Sequence, residues 1–174
     1  MKKIVTDILE LSILDKEKIT NEIKNSEEYC LELLYKSDFS TTSAIRSFVA
    51  FLCDQLGIDA STKFKIILIA DELNNNAIEY GSLKGDVNKM RILLSKKGKT
   101  RELTVEVEDT GKGKYHKGAK EMQKLQSEKI LKGFRDYSSI RGRGLFLIIT
   151  NLVNKLYFKD AETGGLIVGI KKSI

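Results

Sequence analysis

Three polar residues of one stretch, Glu72, Asn76 and Glu79, have a spacing that could bring them together around one bound group. They follow an apolar run, residues 64–70, which has helix length and contains no Gly or Pro. On a helix, positions i, i+4 and i+7 share one face. A carboxylate there could accept a proton, and an amide oxygen suits a hard cation such as Mg²⁺. The alternative is a solvated polar face near a helix end.

The same stretch carries an apolar stripe that must position these groups. Its members recur at i, i+4, i+7, i+11 and i+14, and they are Ile66, Ala70, Leu73, Ala77 and Tyr80. This periodicity predicts a helix over residues 62–80 with one buried face, beside the face that carries the polar groups.

Two glycine motifs follow later in the chain. The first, residues 109–113, ends a strand in which Leu103, Val105 and Val107 alternate with polar residues. The second, residues 141–145, opens another apolar-periodic helix, and a helix N-terminus offers free N–H groups to phosphate. Taken alone, the first motif could also be a simple Asp-Thr-Gly turn, and the arginines of the second could face solvent.

The order E-x-x-x-N-A, D-x-G-x-G and G-x-G-L resembles the ATP-binding boxes of the GHKL superfamily. The chain is most similar to the anti-sigma-factor serine/threonine kinases, whose short first box ends in a Gly nine residues after the Glu, as Gly81 stands to Glu72. The resemblance covers roughly residues 29 to 172. It implies the Bergerat ATP-binding fold, with ATP and Mg²⁺ as cofactors.

The resemblance also implies a role for each matching residue. Glu72 resembles the general base, Asn76 the Mg²⁺ ligand, and Asp109 the carboxylate that reads the adenine amine. The other nucleotide-binding residues that it implies are Gly111, Gly113, Arg141, Gly142, Arg143, Gly144 and Leu145. One departure concerns a Thr that the family often places near the start of the last strand, because Leu166 stands there and Thr163 lies three residues earlier.

Composition fits an ordinary globular protein rather than a membrane protein. The chain has 174 residues, 41% of them hydrophobic, and no proline. We expect an N-terminal helical extension, residues 1–28, followed by one ATP-binding domain, residues 29–174. Asp7 and Glu10 interrupt the first apolar run, and no segment reaches the ~18 apolar residues of a membrane span, so the expected location is cytoplasmic.

The net charge of +6 is concentrated in one part of the chain. Ten Lys and Arg residues lie from Lys112 to Arg143, and seven of them are in the long connection of residues 114–140 between the two glycine motifs. The excess could be a solvated loop or a nucleic-acid patch, but interleaved aromatics are lacking, and we expect no direct nucleic-acid partner. The flanking motifs favour a lid over a polyphosphate.

The remaining patterns complete an α+β layout. We expect the helical N-terminal segment at residues 2–25, a strand at 29–35, a core-facing helix with an N-cap at Ser40 or Thr41, and a hairpin of two strands, 88–95 and 103–109. After the connection, which contains a weak helical stretch, come a helix over 145–156 and strands at 156–158 and 166–172. This order predicts a two-layer α/β sandwich, a mainly antiparallel mixed sheet with helices on one face.

The function implied is that of an ATP- and Mg²⁺-dependent serine/threonine protein kinase. By the resemblance, it would bind a sigma-like factor and phosphorylate an antagonist protein of the STAS type, and the N-terminal segment could form a homodimer or partner contact. The alternative is a nucleotide-gated protein-binding module or ATPase with little kinase activity. A self-contained histidine kinase is disfavoured, because the only histidine, His116, lies in the connection.

Overall fold

The computed structural model describes residues 2–98, 100–132 and 152–174. Within them the strands form one open sheet in the order β1-β2-β3-β4-β6-β5. The β1–β2 pair is parallel and every other pair is antiparallel. The strands are β1 Lys2–Asp7, β2 Glu28–Lys36, β3 Val87–Lys97, β4 Thr100–Glu108, β5 Lys155–Asp160 and β6 Leu166–Ser173. The predicted mainly antiparallel mixed sheet is therefore confirmed.

The helices of the described residues supply the second layer. They are α1 Ile13–Lys24, α2 Thr42–Gln55, α3 Ala60–Asn76 and α4 Ala119–Lys132. A short 3₁₀ turn, Phe39–Thr41, precedes α2, and a π-helical turn, Ala77–Gly81, extends α3. No helix among the described residues is long and apolar enough to cross a membrane.

The N-terminal segment differs from the prediction. Residues 2–7 form β1, the edge strand of the sheet, in register with β2 from Lys2↔Tyr29 to Asp7↔Leu34. The apolar spacing of Ile4 and Ile8 fits a helix, but the pairing with β2 over a long sequence separation prevails. Only the second half is helical, and α1 begins at a capping box in which the Ser12 hydroxyl oxygen accepts from the backbone N–H of Asp15. The domain boundary at residue 28 stays a prediction.

Helix α2 packs its predicted face against the sheet. Its buried residues are Ile45, Phe48, Val49, Leu52 and Cys53. The helix ends before Gly57, whose φ of +69° suits a glycine C-terminal signal. Thr41 is the N-cap residue, as predicted, but its side chain makes no capping hydrogen bond. Asp38 accepts from the N–H of Ser40 at the preceding turn instead, and the Thr41 hydroxyl donates to the carbonyl of Asp38.

The other face of the sheet carries a charged network. Glu32, Arg91 and Glu106 are cross-strand neighbours on β2, β3 and β4. Arg91 donates to Glu32 and to Glu108, and Lys89 Nζ lies 2.9 Å from Glu108 Oε1. Burial by itself would raise the pKa of Glu108, but the hydrogen bonds from Lys89 and Arg91 outweigh it, so that pKa lies below its ordinary value. These ion pairs link the charged side chains of β2, β3 and β4 on this face.

The hairpin and the closing strands follow the predicted pattern. Strands β3 and β4 pair antiparallel, as predicted for a hairpin, and β4 ends directly before Asp109. The weak helical stretch of the connection is α4. Leu156 belongs to β5 and not to the predicted helix over 145–156, most of which lies outside the described residues.

Candidate functional site

Helix α3 presents its predicted apolar stripe to the core. Asp59 caps the helix by accepting from the N–H of Thr62, and Ile66, Ala70 and Leu73 are buried. The π-helical turn Ala77–Gly81 then widens the last turn and brings Gly81 against the end of β4. π-helical turns occur preferentially at functional sites.

A pocket of about 380 Å³ lies between the C-terminal end of α3, the ends of β4 and β6, and the loop that leads into α4. Most of its wall is apolar, and a few polar groups converge on one side, which is typical of a small-molecule site. Its lining residues are Leu73, Asn76, Ala77, Tyr80, Gly81, Val107, Asp109, Tyr115, His116, Lys117, Met122, Leu125, Leu166 and Val168.

Asp109 is the buried carboxylate of this pocket. Its Oδ1 accepts from the backbone N–H groups of Leu166 and Gly111, each at 2.9 Å. Among the described residues, Oδ2 has no hydrogen-bond donor. Burial raises the pKa of Asp109, although the two N–H groups and the nearby His116 act in the opposite direction. One oxygen is therefore fixed by the protein, while the other is left as an acceptor for a ligand.

Gly81 makes room for this carboxylate. A Cβ at this position would lie 2.5 Å from Asp109 Cβ and closer still to the carboxyl carbon and Oδ2. Because Asp109 is held through its other oxygen, it cannot move aside without losing its backbone bonds. The short spacing between Glu72 and Gly81 thus corresponds to a contact between the end of α3 and the end of β4.

The glycines of the first glycine motif lie against protein backbone. Gly111 has a φ of +70°, and a Cβ on it would lie 2.9 Å from the carbonyl carbon of Gly164 and closer to the oxygen. A Cβ on Gly113 would lie 2.6 Å from the carbonyl carbon of Tyr80. These close approaches account for both glycines, and their contact with a base or ribose stays a prediction.

A polar network that sequence reasoning missed supports the loop after β4. Ser82 Oγ donates to Asn88 Oδ1 at 2.6 Å and accepts from the N–H of Thr110 at 3.0 Å. The Thr110 hydroxyl donates to Asp86 Oδ2 at 2.7 Å, and this bond holds the pKa of Asp86 below its ordinary value. Because these partners lie far apart in sequence, no local pattern predicts the network. The only indication along the chain is that Ser82 directly follows Gly81.

Glu72 has the environment expected of a proton acceptor. Within the described part of the chain its carboxylate has no hydrogen bond or ion pair, whereas its neighbour Asp71 is bound to Arg46, with 2.7 Å between Oδ2 and Nε. Burial raises the pKa of Glu72, and the charge of Asp71 raises it further. The side chain does not line the pocket itself, but it lies one helical turn before Asn76, which does.

Asn76 is the amide at the pocket wall. Its side chain has no hydrogen-bond partner among the described residues, in contrast to the buried Asn74, whose Nδ2 donates to the Ala70 carbonyl. An amide oxygen that is free and faces a pocket suits a Mg²⁺ ion that is also held by phosphates and waters. The residues present therefore fit the ion that the sequence predicts.

The connection between the two glycine motifs, which the sequence predicts to be a lid, is described as far as Lys132. Helix α4 is fixed at its start by Asp160, whose Oδ1 accepts from the N–H of Ala119 at 2.7 Å. Met122 and Leu125 of α4 close the pocket on that side. The second glycine motif, with Arg141, Gly142, Arg143, Gly144 and Leu145, lies outside the described residues.

The family assignment rests on a match to a model of the histidine kinase-like ATPase domain, which covers residues 35–172 and thus well over half of the chain. The chain belongs to this family. A comparison with curated protein sequences finds no match. The matched region contains every residue that lines the pocket, among them Asn76, Asp109 and Leu166.

Two residues around the pocket were not predicted as site residues. Leu166 presents an apolar side chain to the pocket, while the hydroxyl of Thr163 donates to Glu108 Oε1 at 3.2 Å on the far side. In the sequence, His116 bears only on the exclusion of a self-contained histidine kinase, whereas the structure places it beside Asp109. Its proximity to Asp109 depends on a turn in the lid loop, which spacing along the sequence does not show.

Proposed function

We propose that this histidine kinase-like ATPase domain is an ATP- and Mg²⁺-dependent serine/threonine protein kinase of the anti-sigma-factor type. The observation that carries the proposal is the combination, around one pocket, of the buried acceptor Asp109 with Asn76 and, one turn away, Glu72, whose pKa is raised and which has no partner among the described residues. A partly buried carboxylate of raised pKa beside a pocket is a candidate functional group.

Asp109 would orient the adenine. The exocyclic amine of adenine is a donor and an ionised carboxylate is acceptor-only, so Oδ2 matches the amine. Leu73, Val107 and Val168 provide apolar surface for the base. The two backbone bonds to Oδ1 keep the carboxylate in place before the nucleotide arrives, which lowers the entropic cost of binding.

Asn76 would hold the metal through its amide oxygen. Bound Mg²⁺ would neutralise charge on the phosphates during transfer. The second glycine motif, with Gly142 and Gly144 at a predicted helix N-terminus and Arg141 and Arg143 beside them, would contact the phosphates.

Glu72 would act as the general base. It accepts the proton of a Ser or Thr hydroxyl on the partner protein as that oxygen bonds to the γ-phosphorus, and the bond to the β–γ bridging oxygen breaks to release ADP. A raised pKa makes Glu72 a better proton acceptor than an ordinary exposed carboxylate. A sigma-like factor and an antagonist of the STAS type are the proposed protein partners.

Transfer of labelled phosphate from ATP to candidate antagonist proteins tests the proposal. Glu72→Gln keeps the size of the side chain and removes the base, so we expect nearly unchanged ATP affinity and transfer slowed about 10²–10⁴-fold. The matched control is Glu17→Gln, the same substitution at an exposed residue of α1. This variant should transfer phosphate at the wild-type rate.

Two results would contradict the proposal that this protein is a kinase. Full transfer activity in Glu72→Gln would remove Glu72 as the base. A wild-type protein that binds its partner only with ATP, and transfers phosphate to no protein, would instead be a nucleotide-gated binding module.

A further inference from the structure

His116 has a buried ring nitrogen at the wall of the pocket. Its side chain lines the pocket, and Nδ1 has no hydrogen-bond partner among the described residues. The nearest charged group is Asp109, and 3.7 Å separates Nδ1 from Oδ1, which is too long for a hydrogen bond. An unpaired polar atom costs free energy when it is shielded from water, so a rotation of the imidazole that turns Nδ1 into the pocket and pairs it with a ligand is favoured.

The position of His116 is fixed by backbone contacts with the site. The N–H of His116 donates to the carbonyl of Gly113 at 3.1 Å, and the N–H of Gly113 donates to the carbonyl of Gly81 at 3.1 Å. Gly81 in turn lies against Asp109. The imidazole and the carboxylate are therefore held at one side of the pocket by the same short stretch of backbone.

The chemistry of adenine leaves one requirement unmet at this side of the pocket. Asp109 accepts from the amine, but a purine also presents ring nitrogens that are acceptors and need a donor. Leu166 offers an apolar side chain, and its N–H is already bound to Asp109. The hydroxyl of Thr163, on the same turn, donates to Glu108 instead.

We propose that the Nδ1–H of His116 donates to a ring nitrogen of the adenine, N1 or N7, beside the amine that Asp109 accepts. This inference rests on the proposed role of Asp109 in binding the base. The negative charge of the carboxylate favours the imidazole tautomer that carries its hydrogen on Nδ1. Asp109 and His116 together then recognise a donor and an acceptor at neighbouring positions of the adenine.

Binding of ATP, 1-deaza-ATP and 7-deaza-ATP, measured by calorimetry with Mg²⁺, tests the pair. Each analogue lacks one of the two ring nitrogens and keeps the amine. We expect the wild-type protein to bind one analogue about three- to tenfold more weakly than ATP, the usual effect of one neutral hydrogen bond. The sensitive analogue identifies the nitrogen.

Two variants at the same position make the test specific. His116→Phe keeps a ring without nitrogen and should bind ATP and the sensitive analogue equally. His116→Asn places an amide nitrogen where Nδ1 lies and should restore the discrimination. Lys120→Ala, an exposed change on α4 that does not line the pocket, should discriminate as the wild type does.

The outcomes separate this inference from the proposed function. If ATP binds and the wild type accepts both analogues equally, or if His116→Phe still discriminates, the assignment of His116 is wrong and the role of Asp109 stands. If the wild type does not bind ATP at all, both proposals fail.

Discussion

Replacement of Gly81 by Ala is the sharpest test of the contact between α3 and β4. The backbone of Gly81 does not have a positive φ, so an alanine can adopt its conformation, and the cost is steric. The new methyl group would lie 2.5 Å from Asp109 Cβ. Because this atom is next to the backbone, the clash cannot be relieved by rotation of a flexible side chain, and either Asp109 or the π-helical turn must shift.

The size of the effect follows from these contacts. Overpacking costs about 1–3 kcal/mol of stability, which corresponds to roughly 2–12 °C in Tm for a chain of this size. Displacement of Asp109 also breaks its bonds to Leu166 and Gly111 and removes the acceptor from the base. A hydrogen bond to a charged group contributes about 1.5–3 kcal/mol, so ATP affinity should fall roughly 10- to 100-fold.

The assay compares Gly81→Ala with Gly169→Ala by thermal unfolding and by ATP calorimetry. A Cβ on Gly169 would lie 2.5 Å from Cε2 of the Tyr157 ring and closer still to Cζ, on the sheet face away from the pocket. Both variants should lose stability, and only Gly81→Ala should lose ATP affinity. Wild-type ATP affinity in a folded Gly81→Ala protein would refute the reasoning.

Three further predictions follow from the same geometry. Asp109→Asn should weaken ATP binding about tenfold or more by calorimetry, because an amide can present a donor to the donor amine; unchanged affinity would remove Asp109 from the site. Asn76→Ala should weaken Mg²⁺-ATP binding while metal-free ATP binds as before, and equal losses with and without Mg²⁺ would contradict a metal ligand. Glu108 has a lowered pKa in the folded state, so its stabilisation is present above the unfolded pKa of about 4.3 and is lost as the pH falls through the folded pKa. In urea unfolding, Glu108→Gln should therefore cost about 1–3 kcal/mol near pH 7 and much less near pH 3, and an equal cost at both values would argue against the ion pairs.

The sequence predicted the parts of the fold that have a strong local period. The stripe of α3 and the alternation of β4 are such patterns, and the structure confirms both. Strand β1 was missed because Ile4 and Ile8 also fit a helical period, and the decision depends on pairing with Tyr29 and its neighbours on β2. Short segments at the edge of a sheet depend on such distant partners.

The residues of the candidate site also fall into two groups, those that a local motif predicts and those that depend on distant contacts. Asp109 and Asn76 stand in motifs that can be read along the chain, and the structure brings both to one pocket. The support of Thr110 by Ser82 and the approach of His116 to Asp109 arise from contacts between separate elements. Hydroxyl and imidazole groups have no periodic signature, so their partners became visible only in three dimensions.

Two consecutive residues, Glu108 and Asp109, hold the turn between β5 and β6 by hydrogen bonds from opposite faces of the sheet. Glu108 accepts from the hydroxyl of Thr163 on one side, while Asp109 accepts from the N–H of Leu166 on the other. A Cβ on Gly165 would lie 2.8 Å from the carbonyl carbon of Asp109, so the turn also has no spare room. In the evolution of this chain, insertions and deletions are therefore expected to accumulate at other connections, and the length of this turn should change only together with the carboxylates that hold it.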